Sequence, residues 1–225
     1  MKLVHPHITQ HIDFNKNFAY TLVIENSNEF FNLTNQLINQ IDKNKYGEFV
    51  LSENVNIIDI SKFILVVFDY YNLIDDDKKI ENNINKRLVN YLKKEDFISE
   101  FCDLNSQMNL ISEKILCDLN LPIISTEGLT EEKFVKLMGY KLSKRENLIE
   151  RIIDYISFQQ EIKDIKVIVF INLSSVLNSE EINEIIKQLN EEQINILMIE
   201  SQDKYQLNKT MKIIIPLVLP LIILN

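Results

Sequence analysis

The sequence predicts an α/β fold organised around a parallel sheet, and the observations that carry this prediction lie within residues 163–201. Two short apolar runs, Val167–Ile171 and residues 194–199, are rich in β-branched side chains, as is typical of strands buried on both faces. Between them, Asn178 and Glu181 have the spacing of a capping box, and aliphatic residues follow at helical spacing. A strand, a helix and a strand in this order predict a parallel crossover unit.

The composition limits the possible functions. The chain has 225 residues, of which 46% are hydrophobic and 25% are charged, so it can bury one core and carry an appendage. Its formal charge of -9 and its pI of about 5.0 argue against a general nucleic-acid binder. Any polyanionic partner therefore requires a local basic surface.

The cysteines and the N-terminus indicate the compartment. Cys102 and Cys117 lack C-x-x-C spacing, and we interpret them as buried, reduced thiols and not as a disulfide or a metal pair. Residues 1–11 do not have the pattern of a signal peptide. We therefore expect a cytoplasmic protein.

The first fourteen residues predict a small β-hairpin that contains all three histidines of the chain, His5, His7 and His11. Strand residues two apart share a face, so the histidines could converge on a metal ion. No carboxylate or cysteine joins them at ligand spacing, and the competing interpretation is an exposed hairpin without metal.

Residues 20–24 predict a buried strand that leads into a helix ending near Asp42, with Ser27 as its N-cap. Such a strand-turn-helix is where nucleotide-binding folds place their phosphate loop, which requires glycines and a lysine followed by Ser or Thr. The turn after this strand, residues 25–29, has neither glycine nor lysine. ATP hydrolysis is therefore disfavoured. A rival enzyme hypothesis is a nucleotide hydrolase that uses the Glu25 turn and Asn172.

The region that follows predicts short strands at 49–51 and 55–58, whereas residues 61–71 fit a helix or a strand equally well. The acidic run of residues 75–77 could hold a divalent cation, but it is more typical of a helix start.

Residues 75–118 predict a helical leg of two antiparallel helices separated by a charged turn at 93–96. Apolar residues recur in the second helix by fours and threes, like a heptad seam, at Phe97, Phe101, Leu104, Met108, Ile111 and Ile115. The leg also carries the densest basic run of the chain, which can equally be an ordinary solvated helix face.

After the leg, residues 121–124 are expected to return the chain to the core. Thr130 and Gly139 then predict the start and the end of a short helix. Residues 140–142 predict a strand, and Ser143 with Glu146 predicts the cap of the next helix. The predicted architecture is an α/β head formed by residues 1–74 and 119–225, with the leg inserted between its halves.

Three segments carry a resemblance to a known family. They read YTLVIENSNEFFNLTNQL, LMGYKLS and VIVFINLSSVLNSEEINEIIKQL, the last followed by INILMIES. Together they resemble the CRISPR-associated Csn2 family of type II-A loci, over most of the chain to about Ser201. The shared motifs are aliphatic patterns with a few fixed positions, such as Glu25, Asn172, Leu177 and Glu200.

The resemblance implies a head like a degenerate P-loop NTPase that has lost its phosphate loop, together with a helical leg. It also implies a non-enzymatic homotetrameric ring that holds the ends of double-stranded DNA. Such a ring supports spacer acquisition in antiviral defence, together with the CRISPR integrase and the effector nuclease, and it uses no nucleotide. An acidic outer surface can coexist with a basic hole, which gives sequence-independent, salt-sensitive binding.

The residues expected to contact DNA are the basic ones of the leg and the nearby turns: Lys43, Lys45, Lys78, Lys79, Lys86, Arg87, Lys93, Lys94, Lys141, Lys144 and Arg145. The resemblance also implies structural calcium, bound by an acidic stretch of which only Asp118 and Glu127 remain here. A calcium site normally needs six to eight oxygens, so calcium would have to be arranged differently or be absent.

The C-terminal sequence MKIIIPLVLPLIILN departs from the polar tail of the family. It is short for a membrane span and contains Pro216 and Pro220, so we expect a core or interface strand and not an anchor. A further alternative for the whole chain is a protein-interaction module whose arm and tail recruit partners without contacting DNA.

Overall fold

A computed structural model describes residues 1–8, 10–16, 18–42, 47–54, 56–73, 78–119, 123, 128–140, 145–208 and 210–215. The chain divides into two compact units. We call Met1–Leu73 with Arg145–Asn225 the α/β unit, and Ile74–Lys144 the helical unit. The predicted leg, residues 75–118, lies within the helical unit.

The described residues form the following strands: β1 (Lys2–Val4), β2 (Ile12–Asp13), β3 (Ala19–Ile24), β4 (Val50–Glu53), β5 (Asn56–Ile58), β6 (Ile64–Val67), β7 (Val167–Ile171), β8 (Asn195–Glu200) and β9 (Thr210–Ile215). They also form these helices: α1 (Ser27–Asp42), α2 (Ile60–Phe63), α3 (Lys78–Leu92), α4 (Glu95–Leu119), α5 (Glu131–Met138), α6 (Leu148–Gln160) and α7 (Ser179–Glu191).

The parallel sheet predicted from the apolar runs is confirmed. Five parallel strands lie in the order β6-β7-β8-β3-β9, and β7 pairs with β8 as expected for the crossover through α7. All residues of β3, β6 and β7 are buried, which explains why these strands read as continuous apolar runs.

A second, antiparallel sheet has the strand order β2-β1-β4-β5. It contains the predicted N-terminal hairpin and the predicted pair of short strands, so both expectations are confirmed. The interpretation of the hairpin as exposed is wrong for His5, whose side chain lies in the interior at 4% exposure.

One continuous core joins one face of the parallel sheet to α1 and to the antiparallel sheet. Leu22 and Ile24 of β3 belong to it, together with Leu37 of α1 and Leu3 and Leu51 of the antiparallel sheet. Helices α6 and α7 bury further aliphatic side chains, and α7 contacts β8. Each fully buried aliphatic side chain contributes roughly 1.5–3 kcal/mol to stability.

Helix ends agree with the predicted caps at several points. Asn178 and Glu181 form the complete capping box of α7, with Asn178 N–H donating to Glu181 Oε2 at 2.8 Å. Thr130 caps α5 by accepting from Lys133 N–H, and Gly139 ends this helix with a left-handed φ of 60°. Glycine adopts this conformation without steric cost.

Two predicted caps differ from the observed ones. The first helix is capped by Asn26, whose Oδ1 accepts from the N–H groups of Asn28 at 3.0 Å and Glu29 at 3.2 Å, so Ser27 is the first helical residue. Helix α6 begins at Leu148 with Asn147 as its cap, and not at the predicted pair of Ser143 and Glu146.

Other predicted segments resolve as follows. The ambiguous stretch 61–71 contains both alternatives, because α2 ends at Phe63 and β6 follows directly. Tyr140 is not part of a strand, and residues 141–144 lie outside the described residues, as do the acidic run 75–77 and most of 121–124. Ile123, which was expected in the core, is 50% exposed.

In the helical unit, α3 contacts both α4 and α5. The heptad-like series of α4 is exposed over most of its length: Phe97, Met108, Ile111 and Ile115 are 43–59% exposed. Phe101 alone is buried, with its ring 5.7 Å from the ring of Phe134 in α5. Within the described part of the unit, α5 covers only this region of a longer helix.

The cysteines are also placed differently from the expectation. Both Cys102 and Cys117 are free, exposed thiols on α4. The helical period places them on the side of α4 away from the heptad-like series, so their exposure does not depend on how that series is covered.

The start of the apolar C-terminal sequence forms β9, which pairs with β3 from Ala19↔Thr210 to Ile24↔Ile215. The strand predicted for the core or an interface is therefore confirmed as far as Ile215, at the edge of the sheet and with Ile213 buried. Residues 216–225 lie outside the described part of the chain. Among the described residues, every helix is too short or too polar to cross a membrane.

The cap of α1 can be tested by comparing two neighbouring substitutions. We expect Asn26→Ala to lower the free energy of unfolding by about 1 kcal/mol, because two N–H groups of the first turn lose their acceptor. Ser27→Ala is the matched control and should change stability little. Urea denaturation of both variants measures the difference, and an equal or larger loss in Ser27→Ala would contradict the assignment.

Candidate nucleic-acid interface

The carboxyl edge of the parallel sheet is where α/β folds commonly bind ligands, and here it is occupied by the protein's own hydrogen bonds. Glu200, at the end of β8, is 5% exposed. Its carboxylate accepts from Ser174 N–H at 3.2 Å and from Ser174 Oγ–H at 2.6 Å. Lys204 Nζ donates to the carbonyl oxygen of the same serine at 2.8 Å.

Asn172 connects the ends of β7 and β8. It adopts a left-handed conformation with a φ of 53°, and its Oδ1 accepts from both the N–H and the Oγ–H of Ser201. A short 3-10 helix, Leu173–Ser175, follows directly. The side-chain oxygen of Asn172, the residue that the rival hydrolase hypothesis uses together with the Glu25 turn, thus holds the adjacent strand end.

Tyr70 lies beneath this edge. Its hydroxyl donates to the carbonyl oxygen of Ile171 at 2.9 Å, and Val67 O lies 3.2 Å away. Burial, and secondarily the charge of Glu200, raise the pKa of the Tyr70 hydroxyl, so the phenol remains protonated. Burial likewise raises the pKa of Glu200, while hydrogen bonds from Ser174 partly oppose that shift. These groups hold the sheet edge together.

The turn between β3 and α1 does not form an anion cradle. Asn26 Oδ1 already accepts the N–H groups of Asn28 and Glu29 that a phosphate would need. Glu29 also places a carboxylate in the first helical turn. The N–H groups of this turn therefore serve the cap of α1.

Four of the basic residues predicted to contact DNA have described side chains in the helical unit. Lys86 on α3 is exposed, and Arg87 beside it is half-buried. In the turn between α3 and α4, Lys93 Nζ lies 3.4 Å from Glu132 Oε1. Lys94 Nζ lies 3.7 Å from the centroid of the Tyr91 ring. Of these cations, Lys93 is partly neutralised, whereas Lys86 and Lys94 can present positive charge to solvent.

The remaining predicted contacts are dispersed along the chain. Arg145 belongs to the α/β unit, where its Nε donates to Asp154 Oδ2 at 3.1 Å and its Nη1 lies 3.8 Å from Glu150 Oε2. Lys78 and Lys79 begin α3. The other four lie outside the described residues: Lys43, Lys45, Lys141 and Lys144.

No metal centre is formed by the described residues, among which no group of three His, Cys, Asp or Glu side chains could hold an ion. Asp118 is exposed near the end of α4, and Glu127 lies outside the described residues. One acidic side chain does not provide the oxygen ligands of a calcium site.

The metal interpretation of the histidines also fails for His5. Its Nδ1 accepts from His7 N–H at 3.2 Å, and its Nε2 donates to Gln36 Oε1 at 2.8 Å. Both ring nitrogens are therefore already engaged.

Comparison with known proteins supplies the family. The model of a CRISPR-associated protein family, Cas_Csn2, matches residues 40–215, which is well over half of the chain. The chain belongs to the Csn2 family. Family membership agrees with the resemblance drawn from the sequence and supports a CRISPR-associated role.

The fold is similar to that of a solved protein, Stu0660 of Streptococcus thermophilus. The structural match has a TM-score of 0.55 at 17% identity and covers 90% of this chain and 69% of that chain. A likeness at this identity supports the fold. No curated protein matches the sequence significantly.

Sequence reasoning missed several exposed charged and polar positions. Lys114 on α4 and Lys136 on α5 are exposed cations of the helical unit that the dense basic run did not include. The asparagines of α1 were also not singled out, although their spacing of four, three and four residues is readable in the sequence.

The role of Glu200 can be tested through the pH dependence of stability. Because burial raises its folded-state pKa, its contribution to stability is complete below the unfolded pKa of about 4.3 and decreases as pH rises through the folded value. Glu200→Gln retains the shape and does not titrate. We therefore expect the variant to gain stability relative to the wild type from about pH 4 to pH 7. Urea unfolding across this range measures the difference, and a constant difference would contradict the assignment.

Proposed function

We propose that this protein binds the ends of double-stranded DNA as a homotetrameric ring and supports spacer acquisition in type II-A CRISPR adaptation. The observation that carries the proposal is membership of the Csn2 family, shown by the match over residues 40–215. We infer that the protein acts without catalysis in the cytoplasm, and that its partners are DNA ends, the CRISPR integrase and the effector nuclease.

The distribution of charge supports a polyanionic partner. The chain carries a formal charge of -9, yet residues 78–94 contain six basic residues: Lys78, Lys79, Lys86, Arg87, Lys93 and Lys94. A local cluster of this kind can neutralise phosphates while the rest of the surface remains acidic. Binding of this kind releases counterions, so it weakens steeply as salt increases and carries no base specificity.

The head is interpreted as a P-loop-like fold that has lost nucleotide binding. Support comes from the turn between β3 and α1, in which Asn26 caps the helix and Glu29 opposes anions. A nucleotide is accordingly not part of the proposal. Calcium binding at Asp118 and Glu127 stays a prediction. It can be tested by comparing the DNA binding of protein prepared with calcium and of protein prepared with a chelator.

A protein-interaction module without DNA binding is the second candidate, and the exposed face of α4 favours it. Ile111 and Ile115 are 59% and 52% exposed, and Phe97 and Met108 lie on the same heptad-like series. Apolar side chains in such a row are typical of surfaces covered by another protein chain.

Band-shift titration with linear and closed circular duplexes of the same sequence distinguishes the two candidates. We expect the linear duplex alone to be retained at low salt and released at high salt, because a ring threads onto ends and is held by phosphate contacts. Retention of both forms would contradict threading. Tetramer formation without retention of either form, with or without calcium, would favour the interaction module.

Lys86 provides a single-residue test of the basic surface. Lys86→Ala should weaken binding of linear duplex by roughly up to tenfold at moderate salt and make the salt dependence shallower, since each protomer loses one phosphate contact. Lys187→Ala, which removes an exposed lysine of α7, is the control with the same change in net charge. Equal losses in both variants would show a general charge effect and exclude a contact at Lys86.

A further inference from the structure

An open groove of about 660 Å³ lies in the α/β unit between α1 and the segment that follows β1. Its lining is almost entirely polar: among the described residues that form it, Leu33 is the only aliphatic one. Its described lining contains none of the residues predicted to contact DNA, and the two interpretations considered for that lining, a metal site at the histidines and a phosphate loop at residues 25–29, do not account for the groove. It therefore requires its own explanation.

Asparagines line the groove along α1 at positions 28, 32, 35 and 39. Spacings of four, three and four residues keep them on one side of the helix. The row extends ~16 Å along the helix axis at about 1.5 Å per residue. Successive carboxamides are therefore ~4.5–6 Å apart along the axis, close to the ~6.6 Å over which an extended peptide repeats its backbone groups on one side.

Much of the hydrogen-bonding capacity of these carboxamides is unused. Asn39 Nδ2 donates to Asn35 O and Asn35 Oδ1, which leaves Asn39 Oδ1 and Asn35 Nδ2 available. The side chains of Asn28 and Asn32 are exposed and form no hydrogen bond with the described residues. A carboxamide carries both a donor and an acceptor, which matches the N–H and C=O of a peptide backbone.

The walls of the groove are held in place and carry negative charge. His5 is fixed through Gln36, and Glu48 Oε2 lies 3.4 Å from His5 Nε2 while its own side chain remains 57% exposed. Glu29 Oε1 lies 3.7 Å from His7 Nδ1. Two carboxylates therefore flank a row of amides, and the ring contact of His5 with Phe49 at 4.4 Å anchors this wall to the core.

We propose that this groove binds an extended, lysine- or arginine-rich peptide segment of a partner protein. The asparagines hydrogen-bond to the peptide backbone, and Glu29 and Glu48 attract its basic side chains. The recognition is of backbone and charge, so it tolerates variation in the peptide sequence.

Other occupants fit the groove less well. The phosphates of a nucleic acid would meet Glu29 and Glu48, and the N–H groups at the start of α1 are already bonded to Asn26. An amphipathic helix would present an apolar face to a lining with a single aliphatic residue. A basic extended segment is complementary in both charge and hydrogen bonding.

Fluorescence anisotropy with the full chain and a labelled peptide of about ten alternating lysine and threonine residues tests the proposal. Asn28→Ala with Asn32→Ala is the diagnostic variant, because it removes two carboxamides without changing the charge and replaces them by a better helix former. Asn90→Ala with Asn190→Ala is the matched control, since both residues are exposed on other helices. A second probe is the same peptide N-methylated at alternate backbone positions. It retains the positive charge of the lysines but lacks half of the backbone N–H donors.

The wild type and the control variant should bind the basic peptide equally, and the diagnostic variant should bind it roughly tenfold or more weakly. The N-methylated peptide should show a similar loss, and a peptide with glutamate in place of lysine should not bind. Unchanged binding in the diagnostic variant or to the N-methylated peptide would overturn the proposal by indicating attraction through charge alone. Absence of any basic-peptide binding at low salt would overturn it as well.

This inference does not depend on DNA binding, and the same proteins separate the two proposals. The diagnostic variant should shift linear duplex as the wild type does. Peptide binding without DNA retention would support the groove proposal and contradict the DNA proposal. DNA retention without peptide binding would support the DNA proposal and contradict the groove proposal.

Discussion

The pairing of β3 with two parallel neighbours is the constraint on which the α/β unit depends. Residues 19–24 hydrogen-bond to β8 on one side and to β9 on the other, and all six side chains are buried. Both neighbours come from the last third of the chain, so the N-terminal segments cannot complete their sheet until the C-terminal segments are present. Parallel neighbours also require crossover connections, and the helical unit lies in the chain between β6 and β7, which are paired neighbours in the sheet.

Completion of the sheet also shapes the chemistry of its carboxyl edge. Glu200, Asn172 and Tyr70 all direct their hydrogen bonds to groups of adjacent strand ends or to the short helix after β7. A buried carboxylate is tolerated there because Ser174 donates to both of its oxygens. Thr21 Oγ1, buried on β3, lacks a hydrogen-bond partner among the described residues, so one buried hydroxyl of the sheet remains without a hydrogen bond. The polar side chains at the carboxyl edge of the sheet thus stabilise the fold, and a ligand would have to bind at another surface.

Much of this fold follows from local sequence, because buried parallel strands and capped amphipathic helices have strong patterns. The runs that became β3, β7 and β8 and the capping box of α7 were predicted correctly. The sequence predicted Ser27 as the cap of α1, whereas Asn26 is the cap in the structure. Both residue types cap helices, and only the geometry of the turn distinguishes them. The exposure of Cys102 and Cys117 agrees with the helical period, which places both away from the apolar series of α4. The expectation of burial followed the general tendency of cysteine and not the position of these two residues on the helix.

The lysines of the candidate interface could be named from sequence but not placed. The position of a basic side chain on the surface is not fixed by the burial of apolar groups. Its ion-pair partner depends on which acidic residue the fold brings near it, such as Glu132 for Lys93 and Asp154 for Arg145. Exposed apolar side chains indicate an interaction surface more strongly than exposed lysines do. Helix α4 is 25 residues long, ~37 Å, and exposes most of one apolar series. Exposed apolar patches of this kind commonly mark interaction sites. The exposed apolar series of α4 therefore says more about a possible contact surface of the helical unit than its lysines do.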